Sequence, residues 1–183
     1  LADRQEIYDM IVSLSANLRY TIKGGELVSL QEELDYVDRY ILLQKTRLGG
    51  RLEVTKKINP KVNLAVIPKI SIQMLVENAI IHGMPEDGAV LHIIIRVCME
   101  NNRLLISVYD DGKGILPEKV KELNDIFSGK SADTGNSIGL PNLASRLKIL
   151  YQGEAGLFLE SQGDQFTEVK MELPIRKRGN ENV

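Results

Sequence analysis

Apolar residues in the first part of the chain recur at helical spacing. Ile7, Met10, Ile11, Leu14 and Leu18 are separated by one, three or four positions, which predicts an amphipathic helix over residues 1–22 that stops at Gly24-Gly25. Ser29 followed by Glu32 is a capping box and opens a second helix. Leu34, Val37, Tyr40, Ile41 and Leu48 keep its period, with Gln44 as a polar interruption, and Gly49-Gly50 end it. Two such helices in series predict a hairpin.

Beyond Arg51 the period becomes two. Leu52, Val54 and Ile58 alternate with polar residues, although Lys56 interrupts the apolar side, so a half-wet strand is expected before the Asn59-Pro60 turn. Pro68 suits the first turn of a helix over 69–82, with Gly83 as a left-handed cap. Residues 90–99 and 103–110 form an expected antiparallel pair around Glu100-Asn101-Asn102, with Ile93, Ile95 and Val97 on one face and Leu104, Ile106 and Val108 on one face of the next strand. A short helix over 117–126, a small-polar stretch over 128–137, a helix over 141–151 and strands near 157–161 and 167–173 follow, and the tail from Arg176 is polar. No repeat of 20–50 residues is present, which excludes solenoids and propellers. The reading is a helical front followed by an α/β remainder.

Composition changes this picture little. The 183 residues, 43% hydrophobic and 26% charged, suffice for one cored domain plus an appendage. A formal net charge of −2 gives no basic surplus, so nucleic acid is not an expected partner. The lone Cys98 permits no intramolecular disulfide, favours a reducing compartment and reads as a small core residue of its strand. No apolar run approaches the roughly 20 residues of a membrane helix. Leu1-Ala2-Asp3-Arg4-Gln5 is neither a signal peptide nor a natural start, so the chain reads as an excised piece with a cytosolic setting.

Three segments carry chemistry. In Glu77-Asn78-Ala79-Ile80-Ile81-His82-Gly83, the Asn78 amide oxygen is a suitable hard ligand for Mg²⁺. Glu77 points about 100° away round the helix, and His82 shares the face of Asn78. The same residues would also serve as a half-exposed helix with a histidine near its C-terminus. In Asp110-Asp111-Gly112-Lys113-Gly114 a strand ends in a carboxylate that can accept from an exocyclic amine, and the glycines admit close backbone approach. An ordinary Asp-Gly turn fits too. In Gly135-Asn136-Ser137-Ile138-Gly139-Leu140-Pro141-Asn142 a glycine-containing run enters a helix whose free amides suit polyphosphate, or simply begin a helix.

Better-known nucleotide motifs fail. Gly129-Lys130-Ser131 resembles the end of a P-loop, but that motif needs glycine where Asn124 stands and a strand where a helix is expected. Gly112-Lys113-Gly114 opens like a dinucleotide fingerprint, yet Pro117 holds the third glycine position. No zinc spacing and no Gly-x-Ser-x-Gly elbow occurs.

In order and spacing, Glu77-Asn78 with His82-Gly83, Asp110-x-Gly112-x-Gly114, and Gly135 through Asn142 resemble the N, G1 and G2 boxes of the ATPase superfamily shared by gyrase, a heat-shock chaperone, sensor histidine kinases and MutL. The flanking runs Tyr40 to Leu48, Leu75 to Ile80 and Asn142 to Leu147 are similar to bacterial sensor kinases of the LytS and YesM type. The resemblance implies an α/β (α+β) two-layer sandwich of the Bergerat type, a mixed sheet covered by helices on one face, preceded by an N-terminal helical hairpin. It divides the chain into a helical segment over 1–50, an ATP-binding kinase domain over 51–176 and a polar tail over 177–183. ATP and Mg²⁺ are the implied cofactors. Asp110, assisted by Thr167, would hold the adenine amine, and Asn78 would bind Mg²⁺. Gly112, Gly114, Gly135, Gly139, Leu140 and Asn142 would shape the adenine and phosphate walls, with His82 beside them. Glu77 is the acid of the N box, a general base in hydrolysing relatives.

Phe166, Ser137, Asp111 and Lys113 depart from the family's usual residues, which bears on fine geometry and lid closure. Such kinases also carry their phosphoacceptor in an upstream Asn-Pro-His-Phe segment, which these residues lack; His82 and His92 do not match it, and His92 reads as a plain strand residue. The resemblance implies a domain that donates phosphate to a histidine elsewhere, for relay to the receiver domain of a response regulator, within a homodimer joined through the N-terminal helices and on the cytoplasmic side of a membrane protein. Two other readings stay open: a hydrolysing ATPase of the same superfamily, and a non-enzymatic dimerising module with a decayed pocket.

Overall fold

In a computed structural model the chain is described at residues 12, 15, 18–22, 25–62, 65–131 and 139–175. Residues 12, 15 and 18–22 are helical. The rest of the helix expected over 1–22 and its place in a hairpin, residues 135–138 of the Gly135–Asn142 run and the polar tail lie outside the described residues. The elements are β1 (Leu27–Ser29), α1 (Leu30–Leu48), β2 (Leu52–Ile58), β3 (Val66–Pro68), α2 (Ser71–Gly83), β4 (Leu91–Glu100), β5 (Arg103–Asp110), α3 (Pro117–Phe127), α4 (Leu140–Leu150), β6 (Gly156–Gln162) and β7 (Phe166–Pro174).

Local chemistry sets several boundaries. Ser29 Oγ accepts from Glu32 N at 3.2 Å and Glu32 Oε2 accepts from Ser29 N at 2.9 Å, which completes the capping box of α1. Gly49, at φ 60°, ends the helix by donating its N–H to the Lys45 carbonyl. Two expectations are corrected. Pro68 closes the short strand β3, which pairs antiparallel with β1, and α2 begins only at Ser71. A proline fixes φ near −65° and lacks an N–H, and both a strand end and a helix start accept that. Gly83 is the last helical residue of α2 rather than a left-handed cap.

The main sheet has five strands in the order β2-β4-β5-β7-β6, parallel between β2 and β4 and antiparallel elsewhere. Alternation assigns its faces. Ile93, Ile95 and Val97 of β4, Leu104, Ile106 and Val108 of β5, and Val169, Met171 and Leu173 of β7 are all buried. They meet Leu34, Val37 and Ile41 of α1, Leu75, Val76, Ala79 and Ile80 of α2, and Leu143 and Leu147 of α4 in one core. The other face is half-exposed and carries the Arg96–Glu168 and Lys170–Glu160 ion pairs. Cys98 sits on that second face, with Sγ 3.7 Å from Glu100 Oε1, and not in the core row that its neighbours suggested. Lys56, on the apolar side of β2, reaches out to Asp38 of α1. No described helix is long and apolar enough to cross a membrane.

Candidate functional site

The inward row of β5 runs Leu104, Ile106, Val108 and ends on Asp110, opposite Thr167 at the start of the inward row of β7. The apolar rows thus deliver a carboxylate and a hydroxyl to one end of the core. Asp110 is 1% exposed, and burial pushes its carboxyl up to about 7, opposed by the Gly112 N–H that donates to Oδ1 at 3.1 Å. Thr167 Oγ1 lies 3.0 Å from Ser161 Oγ, and Ser161 Oγ accepts from Ile115 N at 2.8 Å. Ser161 therefore ties the turn after Gly114 to the Thr167 end of the sheet, a role with no local signal in its own strand.

The turn after β5 is pressed against its neighbours. A side chain at Gly112 would begin 2.1 Å from the Gly83 carbonyl oxygen, and Lys113 N donates to that same carbonyl at 3.2 Å. Gly114, at φ 63°, lies against the Gln162 carbonyl, 2.1 Å from where its Cβ would be. Both glycines are required by close backbone approach, as the sequence suggested.

Above this floor is a cleft of about 850 Å³ between α2, the Lys113–Ile115 turn, α3 and the start of α4. Glu77, Asn78 and His82 of α2 line one side, and Gly114, Gly139 and Leu140 the other. Glu77 is held by Gln73 Nε2, which donates to Oε2 at 2.8 Å. Leu140 anchors the entry of α4 in the core, while Gly139 is exposed at the helix N-terminus, where Leu143 N donates to its carbonyl at 3.2 Å. Asp110, Gly112 and Thr167 lie beneath the cleft and not on its wall. Asn142 is exposed in the first turn of α4, away from the described lining. Gly135 is outside the described residues.

The cleft also contains residues that motif spacing did not single out. Met74, Ile81, Ile115 and Leu123 make an apolar wall suited to a planar base, and Lys113 and Lys119 bring positive charge to the rim. A helical period points Met74, Asn78 and Ile81 to one side, so this signal was present in α2. His92 is more than a plain strand residue: its Nδ1 is 2.7 Å from Asp111 Oδ2, and its Nε2 is 3.6 Å from Glu53. This exposed cluster faces away from the cleft lining.

The chain is similar to known proteins in sequence and in fold. Residues 68–177 match the family model described as histidine kinase-, DNA gyrase B-, and HSP90-like ATPase, and residues 1–52 match that described as histidine kinase. The sensor protein LytS of Bacillus subtilis is 28% identical over 99% of this chain and 31% of its own length. The sensor histidine kinase YpdA of Escherichia coli is 38% identical over 78% of this chain and 24% of its own. The chain therefore spans about a third or less of these curated relatives. Among solved structures, the catalytic domain of histidine kinase ThkA superposes with a TM-score of 0.57 at 18% identity, covering 81% of this chain and 93% of that one. The histidine kinase domain of a blue-light activated kinase from Erythrobacter litoralis gives 0.53 at 19% identity, covering 93% and 75%. At such identities these likenesses speak for the fold, which is the mixed sheet with helices on one face expected of this ATPase type. With its family-model match spanning residues 68–177, the chain belongs to the histidine kinase-, DNA gyrase B-, and HSP90-like ATPase family, as an ATP-binding domain of the sensor histidine kinase kind.

Proposed function

We propose that this chain binds MgATP and donates the γ-phosphate to a histidine outside these 183 residues, for relay to the receiver domain of a response regulator. The observation that carries this reading is the cleft in which Glu77 and Asn78 face Gly114 and Gly139, with Asp110 buried below. Asp110, helped by Thr167, is the acceptor for the adenine amine, which must reach past the cleft wall to meet it. The apolar wall of Met74, Ile81 and Ile115 sandwiches the base, and the amides at the start of α4 face the phosphates. The Asn78 amide oxygen fits Mg²⁺, which takes oxygen ligands and shares them with phosphate oxygens. Phosphoryl transfer needs positioning and charge neutralisation more than covalent chemistry. Glu77, next to the metal ligand, polarises the incoming nucleophile. In its full-length setting the chain is the cytoplasmic part of a membrane-anchored homodimer joined through its N-terminal helices.

Calorimetry with ATP, with and without Mg²⁺, tests the donor half; absence of binding overturns it. Radiolabelled ATP supplied with a separate polypeptide carrying the acceptor histidine tests the transfer. Label is expected on that polypeptide only. Stable label on His82 or His92, or steady ATP turnover indifferent to the acceptor, would reject the phosphotransfer reading.

A further inference from the structure

Helix α2 lacks a cap of its own. Its N-cap residue is Ile70, held at φ 66° with no side-chain hydrogen bond to the first turn. The missing acceptor comes from α1, 37 residues earlier: Glu33, 0% exposed, accepts from Ile70 N at 2.8 Å through Oε2. Its Oε1 accepts from Ile72 N at 3.1 Å and Gln73 N at 3.3 Å. One buried carboxylate thus satisfies three amides of a helix start and meets the positive end of its dipole.

The network continues in both directions. Upstream, Tyr20 Oη donates to Glu33 Oε2 at 2.7 Å. The Tyr20 ring stacks on Tyr36 with centroids 4.4 Å apart. Lys69 Nζ sits 4.8 Å from that ring's centroid and donates to the Thr21 carbonyl at 3.3 Å. Downstream, Gln73 gives its backbone N–H to Glu33 and its side-chain Nε2 to Glu77. Gln73 is 8% exposed and Glu33 0%, so the middle of the path is buried, while Tyr20 and Glu77 at its ends are half-exposed.

We propose that Glu33 and Gln73 are positioning residues for Glu77, and that through Tyr20 they couple the helical residues 18–22 to the nucleotide cleft. The physical basis is that the path Tyr20–Glu33–Gln73–Glu77 is continuous, with side-chain bonds of 2.7 and 2.8 Å at its two ends and a longer backbone bond of 3.3 Å between them, and that its middle is shielded from water, where a lost partner leaves an unsatisfied group. A shift of residues 18–22 that draws the Tyr20 hydroxyl away changes what Glu33 offers to the first turn of α2, and with it the side chain that holds Glu77. The importance of Glu77 itself rests on the reading of the cleft as a phosphoryl-donor site.

Tyr20→Phe is the informative variant, because it deletes one hydroxyl and keeps both the stack on Tyr36 and the cap on α2. Gln73→Met cuts the link to Glu77 and leaves the backbone cap. In the full-length protein each is expected to lower kcat for phosphorylation about tenfold with KM for MgATP within about twofold, the signature of misplacement without lost binding. The double variant should be no worse than the poorer single one, since both act on one path. In this chain, Tyr20→Phe should also move the carboxyl carbon resonance of ¹³C-labelled Glu77. If Tyr20→Phe moves only the resonances of residues 70–73 and leaves the Glu77 carboxyl unchanged, the cap is structural and the coupling is refuted. A wild-type protein that fails to bind MgATP would instead reject the donor-site reading, and the Glu77 resonance would still decide the coupling.

Discussion

The carboxylate of Asp110 fills the space that a side chain at Gly83 would need: a Cβ there would lie 2.6 Å from Oδ1 and 3.0 Å from Cγ. Gly83 is thus a clearance residue that lets the end of α2 lie on the acid at the end of β5, which explains why a glycine follows His82. Gly83→Ala must move either the carboxylate or the helix. The expected outcome is a loss of about 1–3 kcal/mol of stability, as for other overpacked sites, together with at least a tenfold loss of ATP affinity. Denaturant melts and calorimetry check both, and wild-type affinity in a folded Gly83→Ala protein would count against Asp110 as a nucleotide contact.

Asp110 makes stability and binding depend on pH. Its folded-state pKa, about 7, is above the ordinary carboxylate value of 3.8. A raised folded pKa means that the contribution is fully present below the unfolded value and is lost as pH rises through the folded one. The nucleotide-free domain should therefore lose stability between about pH 4 and pH 7 on account of this group, with a ceiling of roughly 4 kcal/mol for a three-unit difference. Asp110→Asn should flatten that profile and melt higher at pH 8. The substitution also introduces a donor that can meet the carbonyl of guanine, so the preference for ATP over GTP should narrow. If the carboxylate accepts the adenine amine, MgATP binding at pH 7 releases protons, visible as a dependence of the calorimetric heat on buffer ionisation enthalpy. An unchanged nucleotide preference would exclude the adenine contact.

Asn78 and the metal can be separated from the base. Asn78→Ala should weaken binding of MgATP while leaving metal-free ATP within about twofold, because an amide that ligates through Mg²⁺ contributes only when the ion is present. Equal losses in both titrations would assign Asn78 to the nucleotide directly.

Much of this arrangement was legible along the chain, and the exceptions share a cause. The rows Ile93-Ile95-Val97 and Leu104-Ile106-Val108 announced the covered face of the sheet, and Asp110 is simply the next inward position after Val108. The Ser29–Glu32 box is local and was visible as such. Strands of three residues, like β1 and β3, are too short to show a period, and Pro68 fits either neighbour. Cys98 was misplaced because composition was weighed over alternation. Glu33 capping α2, Ser161 bridging Ile115 to Thr167, and Gly83 making way for Asp110 all join positions 27 to 46 residues apart or brought together only by the fold. A reading built on neighbours three or four positions away cannot see them.

Asn124 shows how such a long-range contact controls the cover of the cleft. Helix α3 fully buries only Leu123, with Val120 and Phe127 partly buried against the core. Its fixed point is Asn124, whose Nδ2 donates to the Leu159 carbonyl at 2.7 Å and whose Oδ1 accepts from Leu159 N at 2.9 Å. Leu159 lies on β6, the outer strand of the sheet, so the amide occupies an edge that would otherwise present free backbone groups. Leu123 and Lys119 of the same helix line the cleft, which makes this two-bond clamp the hinge pin of one of its walls. Asn124→Ala removes both bonds at once and should cost about 1–3 kcal/mol in local opening of α3, with a much smaller effect on the global melt. Hydrogen exchange at the Leu159 amide should accelerate by at least tenfold while the amides of Ile95 and Ile106 in the sheet centre keep their protection. Because the loss is confined to a wall of the cleft, nucleotide off-rates should rise more than on-rates. Unaltered exchange at Leu159 would mean that α3 is held by its remaining contacts and that Asn124 is not the hinge.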